Sequence, residues 1–157
     1  MNRSSGFTLI ELAVTVAIVG ILAAAAVPVL EMSAQRAKES QLRSDLRSIR
    51  EALDAYKKAG DEGRIAKAAG GSGYPKKLEE LVEGVDDITS PNKAKVYFLR
   101  RLPRDPFGSD PALAAAATWG KRSYASPPDS PEAGEDVYDV YSLSPRIGLS
   151  GVPYKQW

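Results

Sequence analysis

Near its beginning, the chain contains 19 consecutive residues, positions 12–30, without a charged side chain. Thr15 is the one polar side chain among them, and Gly20 and Pro28 are the only residues that weaken a helix. As an α-helix at ~1.5 Å per residue, the run is about 28 Å long, close to the ~30 Å hydrocarbon core of a bilayer. A helix in a soluble core normally has a polar face, and none is present here. The run therefore predicts a segment buried in lipid or among other helices.

Three interpretations of this apolar run are open. A cleavable secretory signal has a basic start, here Arg3, and a cleavage site of small residues, which positions 23–26 imitate. However, the run is longer than the ~7–15 residues typical of such a signal. In addition, Glu11 precedes the run, where a secretory signal has basic or apolar residues. A plain membrane anchor is the second interpretation, and the third depends on the residues just before the run.

The composition limits the chemistry of the chain. It has no histidine and no cysteine, so the usual zinc, haem and iron–sulfur ligands, thiol nucleophiles and histidine acid–base groups are missing. The net charge of +1 gives no general attraction to nucleic acid. The sequence contains no glycine-rich phosphate loop and no nucleophile elbow. A membrane-anchored enzyme or binding protein is therefore a hypothesis without specific support, and we predict no catalytic residue, no cofactor and no nucleic-acid partner.

The residues before the apolar run form a short motif. A polar leader, residues 1–6, ends in glycine, and residues 6–12 read Gly-Phe-Thr-Leu-Ile-Glu-Leu. This string resembles the type III signal sequence of type IV pilins and of type II secretion pseudopilins. The resemblance implies cleavage between Gly6 and Phe7 by a prepilin peptidase, followed by N-methylation of Phe7. Since this cleavage precedes the apolar run, the helix would stay on the mature protein.

Glu11 needs a partner near a membrane, because moving a carboxylate toward the bilayer centre costs about 2.5–3.5 kcal/mol or more. After cleavage, Phe7 would carry a free amino group four residues earlier on the same helical face. The resemblance implies that Glu11 pairs with the amino terminus of a neighbouring subunit during assembly. The alternative is that Glu11 only extends to the lipid headgroups. Pro28, which is the 22nd residue counted from Phe7, lies where the family has a helix-bending proline.

The charges that flank the run do not set its orientation. Only Arg3 precedes it, whereas Arg36, Lys38 and Arg43 follow it, so the positive-inside rule favours the opposite topology. The resemblance implies a single pass through the bacterial inner membrane, with a cytoplasmic N-terminus and a periplasmic C-terminal head.

The helix is predicted to continue over residues 31–58, because Pro28 should bend it without ending it. Apolar residues recur there at spacings of four, three, four and three, which marks one helical face: Leu42, Leu46, Ile49, Leu53 and Tyr56. The opposite face carries i,i+4 pairs that we interpret as ion pairs: Glu39–Arg43, Arg47–Glu51 and Asp54–Lys58. The apolar face must pack against another layer.

Residues 59–157 are predicted to form a small head. The turn signals and apolar runs predict a helix end near Ala59-Gly60, a loop at 70–73, a short helix from about Pro75 to Gly84, a strand or packed turn at 96–99, strands at 121–126 and 136–143, and an exposed loop at 127–131. The predicted class is α+β and pilin-like. A long N-terminal helix, with a membrane half and an amphipathic half, packs on a head with a short antiparallel sheet.

Residues 100–108, Arg-Arg-Leu-Pro-Arg-Asp-Pro-Phe-Gly, form a second motif. They resemble the segment that precedes the small sheet in major pseudopilins of type II secretion. Prolines, Asp105 and Gly108 are turn-building residues, so we interpret the segment as a rigid corner. The alternative is that its three arginines contact acidic groups on a neighbouring subunit.

The C-terminal segment departs from the family. Major pseudopilins of type II secretion often bind calcium there, but residues 142–157 contain no Asp or Glu. Calcium takes six to eight oxygen ligands, usually with several carboxylates. We therefore predict no metal site, and a loop held by Pro145, Pro153, Tyr154 and Trp157. The acids of residues 129–136 are a possible cation site elsewhere, which we interpret instead as solvated loop acids.

The resemblance implies a structural subunit of a type II secretion pseudopilus. Such a subunit polymerises through its N-terminal helix into a periplasmic filament that drives export of folded proteins across the outer membrane. The implied segments are a leader at 1–6, a transmembrane and assembly helix at 7–30, and a periplasmic domain at 31–157. The implied partners are copies of the chain, minor pseudopilins, the prepilin peptidase and the inner-membrane assembly platform. The alternative is a type IV pilin for adhesion, motility or DNA uptake, although most of those have a C-terminal cysteine pair.

Overall fold

The computed structural model describes residues 6–92, 94–108 and 110–157, apart from the side chain of Ala25, so positions 1–5 of the predicted leader lie outside the described residues. Helix α1 spans Leu9–Asp61 and helix α2 spans Glu80–Glu83. The strands are β1 (Val85–Asp86), β2 (Lys95–Val96), β3 (Trp119–Arg122) and β4 (Asp139–Ser142), and two 3₁₀ turns span Ala115–Thr118 and Tyr154–Gln156. This arrangement confirms the predicted α+β, pilin-like class.

The chain divides into two compact units, Met1–Ala37 and Lys38–Trp157. In the N-terminal unit, every side chain that the structure describes from residue 6 to residue 34 is exposed. The apolar part of α1 is long enough and apolar enough to cross a membrane. Pro28 lies inside α1, so this proline does not end the helix.

The C-terminal unit is built on the predicted apolar face of α1. All five residues of that face are buried, and Leu42, Ile49 and Leu53 are 0% exposed. They join one cluster with side chains from the rest of the unit, including Ile65, Leu78, Leu81, Leu102, Trp119, Val137, Val140 and Tyr154. The spacing of apolar residues in the sequence therefore identified the packing face of the helix.

Among the described residues, the strands form two separate two-stranded antiparallel sheets instead of one. In the first, Val85 of β1 pairs with Val96 of β2, and in the second, Trp119 of β3 pairs with Ser142 of β4. Strands of two residues, such as β1 and β2, are too short to show an alternating pattern. The first sheet was therefore not predictable from periodicity.

The predicted strands at 121–126 and 136–143 overlap β3 and β4, but their bounds were wrong. Strand β3 begins two residues earlier, at Trp119, and ends at Arg122, because the backbone amide of Ser123 donates to the carbonyl of Glu132. That bond turns the chain into the proline-rich loop. Strand β4 begins only at Asp139, since Val137 donates to the carbonyl of Pro75 outside the sheet.

The helix predicted from Pro75 is also shorter than expected. Helix α2 begins at Glu80. The turn before it is held by hydrogen bonds between residues three positions apart; for example, the amide of Glu80 donates to the carbonyl of Lys77 at 3.2 Å. The predicted end is confirmed at Gly84, whose φ of 77° is in the left-handed region. A Cβ at this position would lie 2.7 Å from the ring of Tyr97, so the site also needs the small side chain. Helix α1 ends at Asp61, slightly beyond the predicted Ala59-Gly60.

Candidate assembly interface

The start of α1 is closed by a capping box formed by Thr8 and Glu11. The backbone amide and the hydroxyl of Thr8 donate to Oε2 of Glu11 at 2.9 and 2.7 Å, and the amide of Glu11 donates to the hydroxyl of Thr8 at 3.3 Å. Such reciprocal bonds satisfy amides that the first helical turn leaves without partners. The sequence signal, Thr-x-x-Glu before an apolar run, was present but was not used in the sequence analysis.

This cap uses only one oxygen of the Glu11 carboxylate. Among the described residues, no hydrogen bond reaches Oε1 of Glu11, and the side chain is exposed. Phe7 is 88% exposed, and Gly6 beside it is exposed as well. The structure therefore brings Gly6, Phe7 and Glu11 together at one accessible helix end, with one carboxylate oxygen available to a cation.

The N-terminal half of α1 presents apolar side chains on all sides. Leu9 is 87% exposed, Val19 64% and Leu30 67%. Exposed apolar patches this large mark protein–protein or membrane interaction sites, because isolated soluble chains rarely carry them. Among the described residues of the N-terminal unit, none covers these side chains.

The corner at residues 100–108 is organised by Asp105, which is buried. Its carboxylate accepts the hydroxyl of Ser142 at 2.6 Å and the amide of Phe107 at 2.8 Å. Arg104 donates to the carbonyls of Asp110 and Leu113, so its guanidinium is used within the chain. These contacts support the interpretation as a rigid corner for Asp105 and Arg104. Arg101 and Arg100 are exposed.

The C-terminal loop is fastened to α1 by Glu39, which the sequence analysis placed wrongly on the solvated face. Glu39 is 6% exposed, and its Oε1 accepts the amide of Leu149 at 2.7 Å and the hydroxyl of Tyr154 at 2.9 Å. The face assignment was wrong because a helical pattern shows which residues are apolar, but not which acid a distant loop will cover. No sequence signal identified this contact, which joins residues 110 positions apart.

Aromatic packing completes the loop, as predicted for Tyr154 and Trp157. The ring of Tyr154 stacks on Phe107 at 4.1 Å between centroids and meets Trp157 edge-on at 5.0 Å. The guanidinium of Arg43 lies 4.3 Å above the ring of Trp157. Arg43 therefore contacts the C-terminal segment, a contact that the predicted pairing with Glu39 did not include.

The loop does not fit the calcium site that the resemblance implies. Residues 142–157 supply no carboxylate, and Glu39 and Asp105, which reach this segment from elsewhere in the chain, each already accept two hydrogen bonds. Calcium needs more oxygen ligands than this set offers. Within the described ranges, no group of three or more acidic residues is arranged to hold a metal ion. Asp136, one of the alternative acids, is bound by the hydroxyl of Ser72 and the amide of Tyr124.

A second set of hydrogen bonds, made by Arg50, joins α1 to strand β4 and the chain end. Arg50 Nε donates to Asp139 at 2.8 Å, and its Nη2 donates to the carbonyl oxygen of Trp157 at 2.8 Å. Asp139 also lies 3.4 Å from Arg122. The Arg50–Asp139 ion pair is partly exposed, so it contributes about 1 kcal/mol or less to the free energy of unfolding. It nevertheless fixes the register of β4 against the helix.

A cavity of about 860 Å³ lies beside the glycine-rich loop of residues 70–73. Burial and the hydrogen bond that the Tyr56 hydroxyl donates to Glu80 raise the pKa of Tyr56 to about 12. A tyrosine that acts as a base or a nucleophile needs its pKa moved in the opposite direction. This cavity therefore gives no support for catalysis.

Comparison with known proteins defines the class and then the family. Residues 1–27 match the family described as "Prokaryotic N-terminal methylation motif". The chain is 34% identical over 143 residues to type II secretion system core protein G of Klebsiella pneumoniae, covering 87% of this chain and 94% of that protein. The protein of the same name from Pseudomonas aeruginosa is 35% identical over 86% of this chain and 91% of its own length. No solved structure matches the chain.

The methylation motif, the long apolar helix and the small α+β head define a type IV pilin-like subunit. A further relative, from Escherichia coli K12, is 30% identical over 92% of this chain and also bears the name core protein G. The chain belongs to the family of type II secretion system core protein G, the major pseudopilins.

Proposed function

We propose that this chain is the structural subunit of a type II secretion pseudopilus. It polymerises through its N-terminal helix into a periplasmic filament that drives export of folded proteins across the outer membrane. The observation that carries the proposal is the N-terminal unit of α1, whose apolar side chains are exposed on every side. Such a helix is stable in lipid or in a bundle of identical helices, and assembly transfers it from the first to the second. The segment 7–30, which contains the apolar run, is the part that makes this transfer.

Maturation removes residues 1–6 by cleavage between Gly6 and Phe7 and methylates the new amino group of Phe7. The match to the N-terminal methylation motif and the exposure of both residues support this step. The chain then crosses the inner membrane once, with its N-terminus in the cytoplasm and residues 31–157 in the periplasm. The prepilin peptidase, minor pseudopilins and the inner-membrane assembly platform are its partners.

Glu11 selects the stacking position of the helices. Its Oε2 stays in the cap with Thr8, and its Oε1 is available to the amino group of Phe7 in a neighbouring copy. This pairing neutralises both charges as the helices leave the lipid, where an unpaired carboxylate is unfavourable. Pro28 has no backbone N–H, so α1 lacks one helical hydrogen bond at this position. The helix can therefore change its curvature in the bundle.

Three substitutions separate the charge of Glu11 from its capping role. Glu11→Gln keeps the acceptor of the capping box but removes the charge, Glu11→Ala removes both, and Thr8→Ala removes only the cap. Filaments are sheared from cells that express the secretion system, and the pelleted subunit is quantified. We expect both Glu11 variants to lose filaments and Thr8→Ala to retain most of them. Normal assembly of Glu11→Gln would contradict the pairing role.

Two further measurements test the remaining steps. The mass of the mature N-terminus should show a chain that begins with methylated Phe7, whereas a chain that begins near residues 26–27 would mean a secreted soluble protein. A strain without the chain should lose export of folded proteins. A strain that exports them normally but loses twitching motility or DNA uptake would favour the type IV pilin alternative, which the family assignment does not favour.

A further inference from the structure

A groove of about 500 Å³ runs along α1 in the C-terminal unit, beside the C-terminal loop. Its apolar walls are formed by Leu46, Val152 and Trp157. The polar side chains around it are Arg43, Arg47, Arg50, Glu51, Asp54 and Ser150. None of these residues has a role in the maturation or pairing described above.

The end of the groove nearest to the beginning of α1 is basic, and we call it the basic groove. Arg43 lies over the ring of Trp157, and Arg47 is exposed and makes no ion pair with any described residue. The charge of Arg50 is offset by Asp139 at 2.8 Å. Two guanidinium groups beside an apolar wall attract an anion more strongly than in open water, because the wall excludes solvent.

A segment of complementary charge lies elsewhere in the same unit. Residues 123–145 contain five acidic residues and no Lys or Arg. Asp136 and Asp139 are hydrogen-bonded within the fold, as described above. The other three acids are exposed and make no ion pair within the described part of the chain: Asp129, Glu132 and Glu135. We call residues 127–135 the acidic loop.

The acidic loop is already ordered for binding. The hydroxyl of Ser126 donates to the carbonyl of Ser130 at 3.0 Å and accepts the amide of Glu132 at 2.8 Å. The prolines at 127, 128 and 131 restrict the backbone further. The entropic cost of ordering the loop on association is therefore small.

The acidic loop does not fill the basic groove of its own chain, because no residue of 127–135 is among the groove residues. Gly134 and Glu135 instead line the separate cavity beside Tyr56 and Gly60, further along α1. The two complementary surfaces thus lie at different places on one chain. A contact between different surfaces of identical chains is heterologous, and it repeats into an open filament when the rotation does not close.

We propose that the basic groove of one copy binds the acidic loop of a neighbouring copy. This inference rests on the proposed function, because it concerns the same filament and adds a contact between heads to the packing of the N-terminal helices. The contact is a set of partly exposed ion pairs around an aromatic side chain. It should therefore weaken as the salt concentration rises.

Cysteine cross-linking tests the contact directly, since the chain has no natural cysteine. The double variant Arg47→Cys/Glu132→Cys, made in the full-length chain, should form a ladder of disulfide-linked oligomers in filaments after mild oxidation. The control pair Arg47→Cys/Glu83→Cys uses an exposed acid in α2 and should give no ladder. A ladder from the control alone, or cross-linking only to a different protein, would overturn the proposal.

Charge reversal tests the energetics. Arg47→Glu or Glu132→Arg alone should lower filament yield about five-fold, and the combination of both should restore most of it. The matched controls Arg100→Glu and Glu83→Arg change exposed charges outside the groove and loop, and they should leave the yield unchanged. Loss with Arg100→Glu alone would overturn the proposal, and would favour the contact through the arginine corner.

The same experiment distinguishes two kinds of failure. If the unmodified chain forms no filaments, the proposed function itself is wrong, whereas normal assembly of Glu11→Gln contradicts only the pairing role of Glu11. If the unmodified chain assembles and Glu11→Gln does not, but Arg47→Glu and Glu132→Arg give normal yields, only the contact between basic groove and acidic loop is wrong.

Discussion

The two halves of α1 differ in where their apolar side chains go. In the N-terminal unit, side chains such as Val19 and Leu30 are 64% and 67% exposed, whereas in the C-terminal unit Leu42 and Leu53 are 0% exposed. The same helix thus contains one part whose partners are within its own unit and one part whose partners are not. Burial, not helix formation, separates the two functions of this element: one half holds the head together, and the other is available for lipid or for other copies.

The largest effect should come from removing a side chain of the buried half. Leu53→Ala deletes part of a fully buried side chain and should lower the free energy of unfolding of the C-terminal unit by about 2–5 kcal/mol. Leu22→Ala, in the exposed half, is the matched control and should change it by less than about 0.5 kcal/mol. Denaturant unfolding of the full chain in detergent, followed by tryptophan fluorescence, measures both. Equal effects of the two substitutions would mean that the halves are not energetically distinct.

An intermediate effect is expected at Glu39, where the buried half holds the C-terminal loop. Glu39→Ala leaves the amide of Leu149 and the hydroxyl of Tyr154 without this acceptor, and it should cost about 1–3 kcal/mol. Glu51→Ala removes an exposed acid of the same helix and should cost less than about 0.5 kcal/mol. The same denaturant titration provides the comparison.

The stability of the C-terminal loop should not depend on calcium, because Glu39 and the aromatic side chains hold this loop without a set of carboxylates. Addition of a chelator to the purified chain should leave its melting temperature unchanged within error. A fall in melting temperature that added calcium reverses would show that the loop contains a metal site, and it would contradict the structural account of Glu39.

The smallest effect is a pH dependence of the buried half. The pKa of Tyr56 is raised to about 12, chiefly by burial and then by Glu80, whereas an unfolded tyrosine titrates near pH ~10. The folded chain therefore holds this proton more tightly than the unfolded chain. The stabilising contribution is present below about pH 10 and is lost as the pH rises toward about 12.

Unfolding midpoints of the unmodified chain and of Tyr56→Phe, measured between about pH 9 and pH 11, test this dependence. The midpoint of Tyr56→Phe should fall less over this interval, because the variant has no proton to lose at this position. Tyr124→Phe, at a side chain that is 61% exposed, should follow the unmodified chain. Identical slopes for Tyr56→Phe and the unmodified chain would contradict the origin that we assign to the pKa shift.

Whether a feature of the fold could be predicted depended on how far apart in the sequence the interacting residues lie. The apolar face from Leu42 to Tyr56 followed from a period of three and four residues, and the corner around Asp105 from local turn chemistry. The bounds of β3 and β4 did not follow, because the bonds that end them join Ser123 to Glu132 and Val137 to Pro75. Strand ends are decided by which distant groups compete for the same amide.

The residues of the candidate interface divide in the same way. Gly6, Phe7, Glu11 and Pro28 were predicted from a resemblance that is carried by residues 6–12 and the apolar run behind them, which are contiguous in the sequence. The basic groove was not identified, because it combines Arg43 and Arg47 of α1 with Val152 and Trp157 near the chain end. Residues more than a hundred positions apart have no common pattern in the sequence.

The sequence by itself determined that this chain has a long apolar helix with an acid near its start, because apolar runs and the charges beside them are local properties of the chain. Only the tertiary structure decided that Glu39 is buried beneath the C-terminal loop and that Arg43 lies over Trp157. Those positions depend on how the folded loop covers the helix, and burial, unlike hydropathy, is a property of the packed chain.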